Sequence, residues 1–243
     1  HRILRSIHGR YRVGGDRLKF AMPEVGIGFI PDVGGAYFLP RLPRRIGWWL
    51  ATTGTPIGVG DAIFAHVVDY YVRSSDFDAL IERIAAEDLG ATSDEADEAL
   101  CGILAEMAAA PPEAGLRTHA LEIETACEAE SLAQAIAALE AGSDWEQAQA
   151  ALIAKKSPTA LALTWEMLRR GAACATLEEA LRIEYRLARD RVVSAEFREG
   201  VRAAVIDKDH APNWSPATLA AVDPALVAAA FAPLGAEELS FAR

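Results

Sequence analysis

The chain has 243 residues, of which 51% are hydrophobic and 24% charged, a composition typical of a globular protein with a substantial core and not of a disordered one. Its formal net charge of −11 argues against the concentrated basic surface that nucleic-acid binding needs, so no nucleic acid is expected as a partner. No apolar run reaches the ~20 residues of a membrane-spanning helix, and the start lacks the apolar region of a secretory signal, so no membrane partner is expected.

The cysteines add a prediction about the compartment. Three of them, far apart and without a CxxC pair, indicate neither a disulfide framework nor a zinc knuckle, and a reducing cytoplasm fits them best. The histidines are scattered with no pair at metal-ligand spacing, so no metal site is predicted.

The first third of the chain alternates short strand-like runs with Gly and Pro turns. These runs, "YRVGG", "LKFAMPE" and "AHVVDYYV", are separated by helical stretches, as in an α/β protein. From residue 76 onward, Ala, Leu and Glu recur at helical spacing. The sequence therefore predicts an α/β region over residues 1–75 and a helical C-terminal region over 76–243 that packs on it.

Two helix starts in the C-terminal region carry clear capping signals. The stretch "GSDWEQ" places Ser143 or Asp144 at the cap of a helix. The stretch "SPTA" offers Ser157 as the cap with Pro158 at the first helical position.

The stretch "KFAMPEVGIGFIPDVGGAYFLPRL", residues 19–42, gathers glycines around two carboxylates. A dinucleotide-binding fingerprint would need a third glycine where Pro31 stands, and a P-loop would need Gly-Lys-Ser or Gly-Lys-Thr, which is absent. The glycines are therefore not expected to cradle a nucleotide phosphate.

The same stretch can shape a pocket around Glu24 and Asp32. Pro23 should end the preceding strand and set the direction in which Glu24 leaves it. Asp32 is placed to cap a helix that starts near Gly34, which is its ordinary structural interpretation. The spacing lets the two carboxylates converge without requiring it, and an apolar mouth around Glu24 would raise its pKa, as suits a general base.

The motifs resemble those of the crotonase (enoyl-CoA hydratase/isomerase) superfamily. "FAMPEVGIGFIPDVGGAYFLPRL" followed by "LATTGTPIGVGDAIFAHVVDYYV" carries the superfamily pattern of a strand ending in Pro-Glu, a Gly- and Pro-containing loop and a Thr-Gly. The PDVGG motif, "KKSPTALALT", "EYRLA" and "EFREGVRAAVIDKDHAPNW" are most similar to its 3-hydroxyisobutyryl-CoA hydrolase branch. The resemblance implies a crotonase-like ββα spiral core, incomplete at its N-terminus, with a helical C-terminal region.

The resemblance also implies an activity and a set of site residues. Glu24 matches the catalytic acid and Asp32 the acid typical of the hydrolase branch, so both are expected to be catalytic in hydrolysing the thioester of 3-hydroxyisobutyryl-CoA, a step of valine breakdown. Glu24 would activate a water or attack the carbonyl to form a mixed anhydride. The expected substrate-binding residues are Met22, Ile27, Gly28, Phe29, Gly34 and, near coenzyme A, Lys208, with Arg41 and Arg45 as further candidates. Coenzyme A is part of the substrate, so no cofactor is expected.

One part of the family pattern is not found. The Gly-rich turn that supplies an oxyanion-hole N–H corresponds here to "HRILRS", and the second donor lies further upstream in the family. A truncated chain, or one completed by another chain, is therefore expected, and a homo-oligomer is one option. Two alternatives stay open: a hydratase or isomerase of the same fold, disfavoured because its extra Glu falls at Leu4, and an inactive fragment that serves as an interaction module.

Overall fold

The computed structural model describes residues 7–241. The expectations about "HRILRS" and Leu4 therefore concern residues that lie outside the described part of the chain. None of the helices described between residues 7 and 241 combines the length and hydrophobicity of a membrane-spanning segment.

The described chain is mostly helical. Its two strands are β1 (Val13–Gly14) and β2 (Tyr70–Tyr71), which pair in parallel with Val13 opposite Tyr70. The α-helices, in chain order, are α1 (Gly35–Phe38), α2 (Ile46–Thr53), α3 (Val59–Phe64), α4 (Phe77–Ala86), α5 (Ser93–Met107), α6 (Leu116–Cys127), α7 (Leu132–Glu140), α8 (Asp144–Ile153), α9 (Pro158–Ala173), α10 (Leu177–Val192), α11 (Ala195–Val201) and α12 (Pro224–Ala230). Short 3-10 turns join several of them, and a π-helical turn, Arg202–Ile206, follows α11.

The strand prediction is only partly matched. β1 lies in "YRVGG" and β2 in "AHVVDYYV", as expected. In "LKFAMPE", however, Phe20 alone forms a bridge, antiparallel to Ile57, and the chain then enters a 3-10 helix at Glu24. Pro23 cannot donate to a ladder, which explains why pairing does not extend to Glu24.

The chain folds into two compact units. One runs to Phe20 and continues over Ile57–Thr118; the other comprises Ala21–Pro56 and the residues from His119 onward. These units differ from the predicted division at residue 75, because each is assembled from two separate stretches of sequence. The composition changes near residue 75, but compactness depends on contacts between distant stretches.

The first unit has its own small core. The buried residues Val72, Leu80, Ile103 and Leu104 pack together, with Tyr11 and Phe77 among the partly buried side chains around them. Helices α4 and α5 supply one side of this cluster, and the end of β2 supplies Val72. The two-residue sheet is thus stabilised by side-chain packing more than by its few backbone pairs.

The second unit contains the whole Glu24–Gly34 stretch. Its core is formed where α1, α2, α9 and α10 meet, and the fully buried side chains there include Leu39, Leu50, Leu163, Met167 and Leu187. The predicted caps are confirmed: Ser157 caps α9 with Pro158 at the first helical position, and Ser143 caps α8 in a capping box with Glu146. Trp48 and Trp49 are buried in α2, as the core interpretation predicts.

Candidate active site

A tight turn presents Glu24. The 3-10 helix Glu24–Ile27 begins directly after Pro23 and ends at Gly28, whose φ of 74° is left-handed. The N–H groups of Gly28 and Phe29 both donate to the Glu24 carbonyl oxygen. The helix therefore ends in a left-handed cap, a conformation that favours glycine at this position.

The Glu24 carboxyl group is held in a dry environment. Its Oε2 atom is buried and accepts no hydrogen bond from the described residues. Burial, together with a smaller contribution from the nearby charge of Asp32, raises the pKa of Glu24 to about 7. A buried carboxyl oxygen without a partner is rare, and it leaves Glu24 with an unused hydrogen-bond acceptor.

Asp32 lies close enough to act electrostatically on two other carboxyl groups. Its charge raises the pKa of Glu24 and also that of Glu184, while burial raises the pKa of Asp32 itself. Asp32 therefore lies near Glu24, eight residues away in sequence, and near Glu184 from α10, while the catalytic roles of Glu24 and Asp32 stay a prediction. These three residues form a cluster of carboxyl groups. Repulsion between their negative charges favours the protonated form of each group.

The expectation that Asp32 caps a helix is wrong. Helix α1 starts at Gly35, its cap residue is Gly34, and no side chain from the loop caps it. Glu184 accepts the N–H groups instead, from Gly34 at 2.9 Å and from Ala36 at 2.7 Å. Because a carboxylate from a distant helix satisfies these donors, the Asp32 side chain is not needed as a cap.

The predicted pocket residues lie on both sides of the Glu24 turn. Met22 is fully buried, and its Cε lies 3.5 Å from where a Cβ of Gly35 would stand. Phe29 packs against Phe197 with ring centroids 5.3 Å apart. At Gly28, a Cβ would lie 2.6 Å from the carbonyl oxygen of Glu196, so only glycine fits here.

Lys208 lies in a different element, an exposed turn after the π-helical segment, with a left-handed φ of 57°. Arg202 binds Asp207 at 2.7 Å and Asp209 at 2.6 Å on either side of it. The Arg41 guanidinium donates a hydrogen bond to the Gly171 carbonyl at 3.0 Å, so this side chain already has a structural role. No contact in the described chain joins these cations to Glu24, and their proximity to coenzyme A stays a prediction.

Sequence reasoning missed a buried polar network that supports the Glu24 turn. The Ser157 hydroxyl donates to Glu196 at 2.9 Å, and Arg191 contacts the other Glu196 oxygen at 3.3 Å. The Ser157 N–H in turn donates to the Val25 carbonyl at 3.0 Å, inside the 3-10 helix. These contacts connect α9, α10 and α11 to the segment that carries Glu24.

A signal for the missed residues was present in α10. Its buried positions are Ala180, Glu184, Leu187 and Arg191, which recur at intervals of three and four. Two charged residues on the apolar stripe of an amphipathic helix are expected to have buried partners. The sequence could therefore have indicated Glu184 and Arg191, although not which atoms they bind.

A family model described as Enoyl-CoA hydratase/isomerase matches residues 5–231. A mitochondrial 3-hydroxyisobutyryl-CoA hydrolase from Rattus norvegicus is 37% identical over 243 residues, covering 97% of this chain and 61% of that protein. The human protein of the same name is 36% identical over 242 residues, again covering 97% of this chain and 61% of that protein.

Solved structures show the same relationship. A carnitinyl-CoA dehydratase from Mycobacterium thermoresistibile is 39% identical with a TM-score of 0.87, covering 98% of this chain and 66% of that one. An enoyl-CoA hydratase from Rhodobacter sphaeroides 2.4.1 is also 39% identical, with a TM-score of 0.83 over 97% of this chain and 65% of that one. The chain thus shares the α/β crotonase-like fold, and the fold prediction is confirmed.

The chain belongs to the enoyl-CoA hydratase/isomerase family, as the Pro-Glu and PDVGG motifs predict. Its likeness to 3-hydroxyisobutyryl-CoA hydrolases is confirmed as well, since curated relatives carry that name. The chain spans 61% of the length of these curated relatives.

Proposed function

We propose that this chain carries the acid pair of an acyl-CoA thioester hydrolase, with 3-hydroxyisobutyryl-CoA as substrate and 3-hydroxyisobutyrate and coenzyme A as products. The observation that carries the proposal is the buried, unpartnered Oε2 of Glu24 beside Asp32. The names of the curated relatives support the choice of acyl group. Coenzyme A enters as part of the substrate, and the chemistry needs no further cofactor.

Glu24 suits the role of general base. A carboxyl group with a pKa of about 7 is partly ionised near neutral pH and is a stronger base than an exposed glutamate. It takes a proton from water as the water oxygen attacks the thioester carbonyl, the C–S bond breaks, and the proton passes to the thiolate. Alternatively, the carboxylate attacks the carbonyl itself, the thiolate leaves, and water opens the resulting anhydride.

Asp32 complements this chemistry in one of two ways. Its carboxylate accepts a hydrogen bond from the 3-hydroxyl of the acyl group, or it orients Glu24 and the attacking water. In both cases its charge helps to keep the pKa of Glu24 high. The apolar neighbours Met22, Ile27 and Phe29, with Gly28 and Gly34, form the acyl side of the proposed site, and Lys208 is proposed for the coenzyme A side.

A second candidate is hydration of an enoyl-CoA double bond, because one similar solved structure is titled an enoyl-CoA hydratase and another a dehydratase. The two activities differ in their products. Hydrolysis releases a free thiol, whereas hydration consumes the conjugated double bond and leaves the thioester intact.

The test is to incubate the purified chain with 3-hydroxyisobutyryl-CoA and follow free thiol, with crotonyl-CoA absorbance as the parallel assay for hydration. Glu24→Gln should abolish thiol release, and Asp32→Asn should lower it by about a hundredfold or more, as expected for a group acting in the transition state. Glu178→Gln, an exposed position in the first turn of α10, is the matched control and should retain full activity. A folded wild-type chain that releases no thiol would contradict the proposal and favour the inactive-module alternative.

A further inference from the structure

We propose that Glu184 is a positioning residue for Asp32: by holding the turn that follows Asp32, it fixes where the Asp32 carboxylate lies relative to Glu24. This inference rests on the proposed function, in which Glu24 and Asp32 act together. It assigns a role to an α10 side chain that lies far from both acids in sequence.

The contacts of Glu184 use both of its oxygen atoms. Its side chain is 4% exposed, Oε2 accepts the Gly34 N–H at 2.9 Å, and Oε1 accepts the Ala36 N–H at 2.7 Å. Gly34 is only two residues after Asp32, whose own carbonyl accepts the Gly35 N–H at 2.9 Å. One carboxylate thus fixes the backbone on the C-terminal side of Asp32.

The turn between Asp32 and α1 needs such support. Val33 has a φ of 53° and Gly34 a φ of 88°, so two successive residues are left-handed. This region is unfavourable for a β-branched side chain such as valine. Since the conformation is not an intrinsic preference of Val33, contacts outside the turn help to maintain it, and the two buried hydrogen bonds of Glu184 to Gly34 and Ala36 are such contacts.

Replacing Glu184 with glutamine should loosen this turn without removing bulk from the core. An amide has one oxygen, so only one of the two N–H groups keeps an acceptor, and the NH2 group faces the other donor. A relaxed turn would let the Asp32 carboxyl reach water. Asp32 would then be displaced from Glu24 while the side chains of Met22 and Phe29 stay in place.

The experiment measures the titration of Asp32 and Glu24 directly, by carboxyl 13C NMR of the full chain labelled at Asp and Glu. In Glu184→Gln, the pKa of Asp32, which burial raises in the native loop, should fall towards its ordinary value. A further Asp32→Asn change should then no longer lower the pKa of Glu24, which separates movement of Asp32 from the mere loss of the Glu184 charge. Glu179→Gln is the matched control, because Glu179 also accepts backbone N–H groups but at the exposed start of the same helix. That variant should leave the Asp32 titration unchanged.

The activity assay adds a second readout. Misplacement of one acid should lower kcat by about tenfold to a hundredfold in Glu184→Gln while KM changes little. Equal losses in Glu179→Gln would indicate a general effect on stability and overturn the proposal. If the wild-type chain releases no thiol, the proposed function fails, but the Asp32 titration still decides the positioning role.

If Glu184→Gln does not fold, the wild-type protein provides the test. In the wild-type protein, the amide protons of Gly34 and Ala36 and the carboxyl carbon of Asp32 should all shift at the titration midpoint of Glu184. An Asp32 signal that shows no inflection there, or a folded Glu184→Gln variant with a native Asp32 titration, would overturn the proposal.

Discussion

Gly200 of α11 lies directly against the carbonyl group of Ile27, so that a Cβ atom on residue 200 would stand 2.3 Å from the carbonyl oxygen. Gly28 makes the reciprocal contact with the backbone of Glu196 at the start of the same helix. The Glu24 turn and α11 are thus packed backbone to backbone. Any side chain between them would move the segment that carries Glu24.

Gly200→Ala should therefore destabilise the second unit. The added methyl group would overlap the Ile27 carbonyl, and overpacking of this kind costs about 1–3 kcal/mol or more. Urea denaturation measures the loss. The control is Gly102→Ala in α5, where a Cβ meets no atom within 4 Å and where the better helix former should add about 0.5–1 kcal/mol. Equal stability of the two variants would contradict the observed packing.

Arg191→Met should be among the most damaging single changes. Arg191 and Glu196 are 5% and 6% exposed, and their charged atoms lie 3.3 Å apart. Removing the cation leaves Glu196 buried with an unbalanced charge, which typically costs about 3–5 kcal/mol.

The double variant Arg191→Met/Glu196→Gln tests the cause of that loss. It should be more stable than Arg191→Met alone, because the unbalanced carboxylate is gone. Arg169→Met is the control, since its ion pair with Glu166 is on the surface and should cost about 1 kcal/mol or less. A double variant less stable than Arg191→Met would show that the charge balance is not the reason.

The Trp49 side chain offers a test of a buried hydrogen bond. Its Nε1–H donates to the Gln149 side-chain oxygen at 3.0 Å in the interior. Gln149→Leu removes the acceptor while keeping most of the volume, so the buried N–H is left unpaired at a cost of about 1–3 kcal/mol. The exposed Gln134→Leu should change the unfolding free energy by less than about 0.5 kcal/mol.

The parts of this structure that sequence could predict are those set by local rules. Ser157 and Pro158 define a helix start through their own chemistry, and the buried tryptophans follow from the apolar character of α2. The Pro-Glu motif likewise indicated Glu24. Each of these predictions depends on residues that are neighbours in the chain.

The predictions that the structure does not match concern contacts between residues that are distant in sequence. Asp32 has the side chain of a helix cap and the right position, yet Glu184, 150 positions from Gly34, makes that contact instead. The "LKFAMPE" run has strand character, but only Phe20 finds a pairing partner among the described residues. Local sequence cannot reveal which of several competing donors and acceptors the fold brings together.

The raised pKa of Glu24 predicts how stability depends on pH. Burial makes the native state bind its proton up to about pH 7, whereas the unfolded chain releases it near 4.5. The native state therefore holds more protons between these values, and the unfolding free energy should fall as pH rises through this window. Glu184, whose pKa burial also raises to about 7, should add to the same decline.

Glu24→Gln isolates the Glu24 share of this effect, since glutamine is neutral at every pH. The variant should match the wild type near pH 4 and exceed it by about 3 kcal/mol at pH 8, because each pKa unit corresponds to about 1.4 kcal/mol. Urea denaturation across this range measures both proteins, with the exposed Glu178→Gln as a control that should follow the wild-type curve. A Glu24→Gln variant that parallels the wild type at all pH values would mean that Glu24 is solvated in the native state, and the general-base role would lose its physical basis.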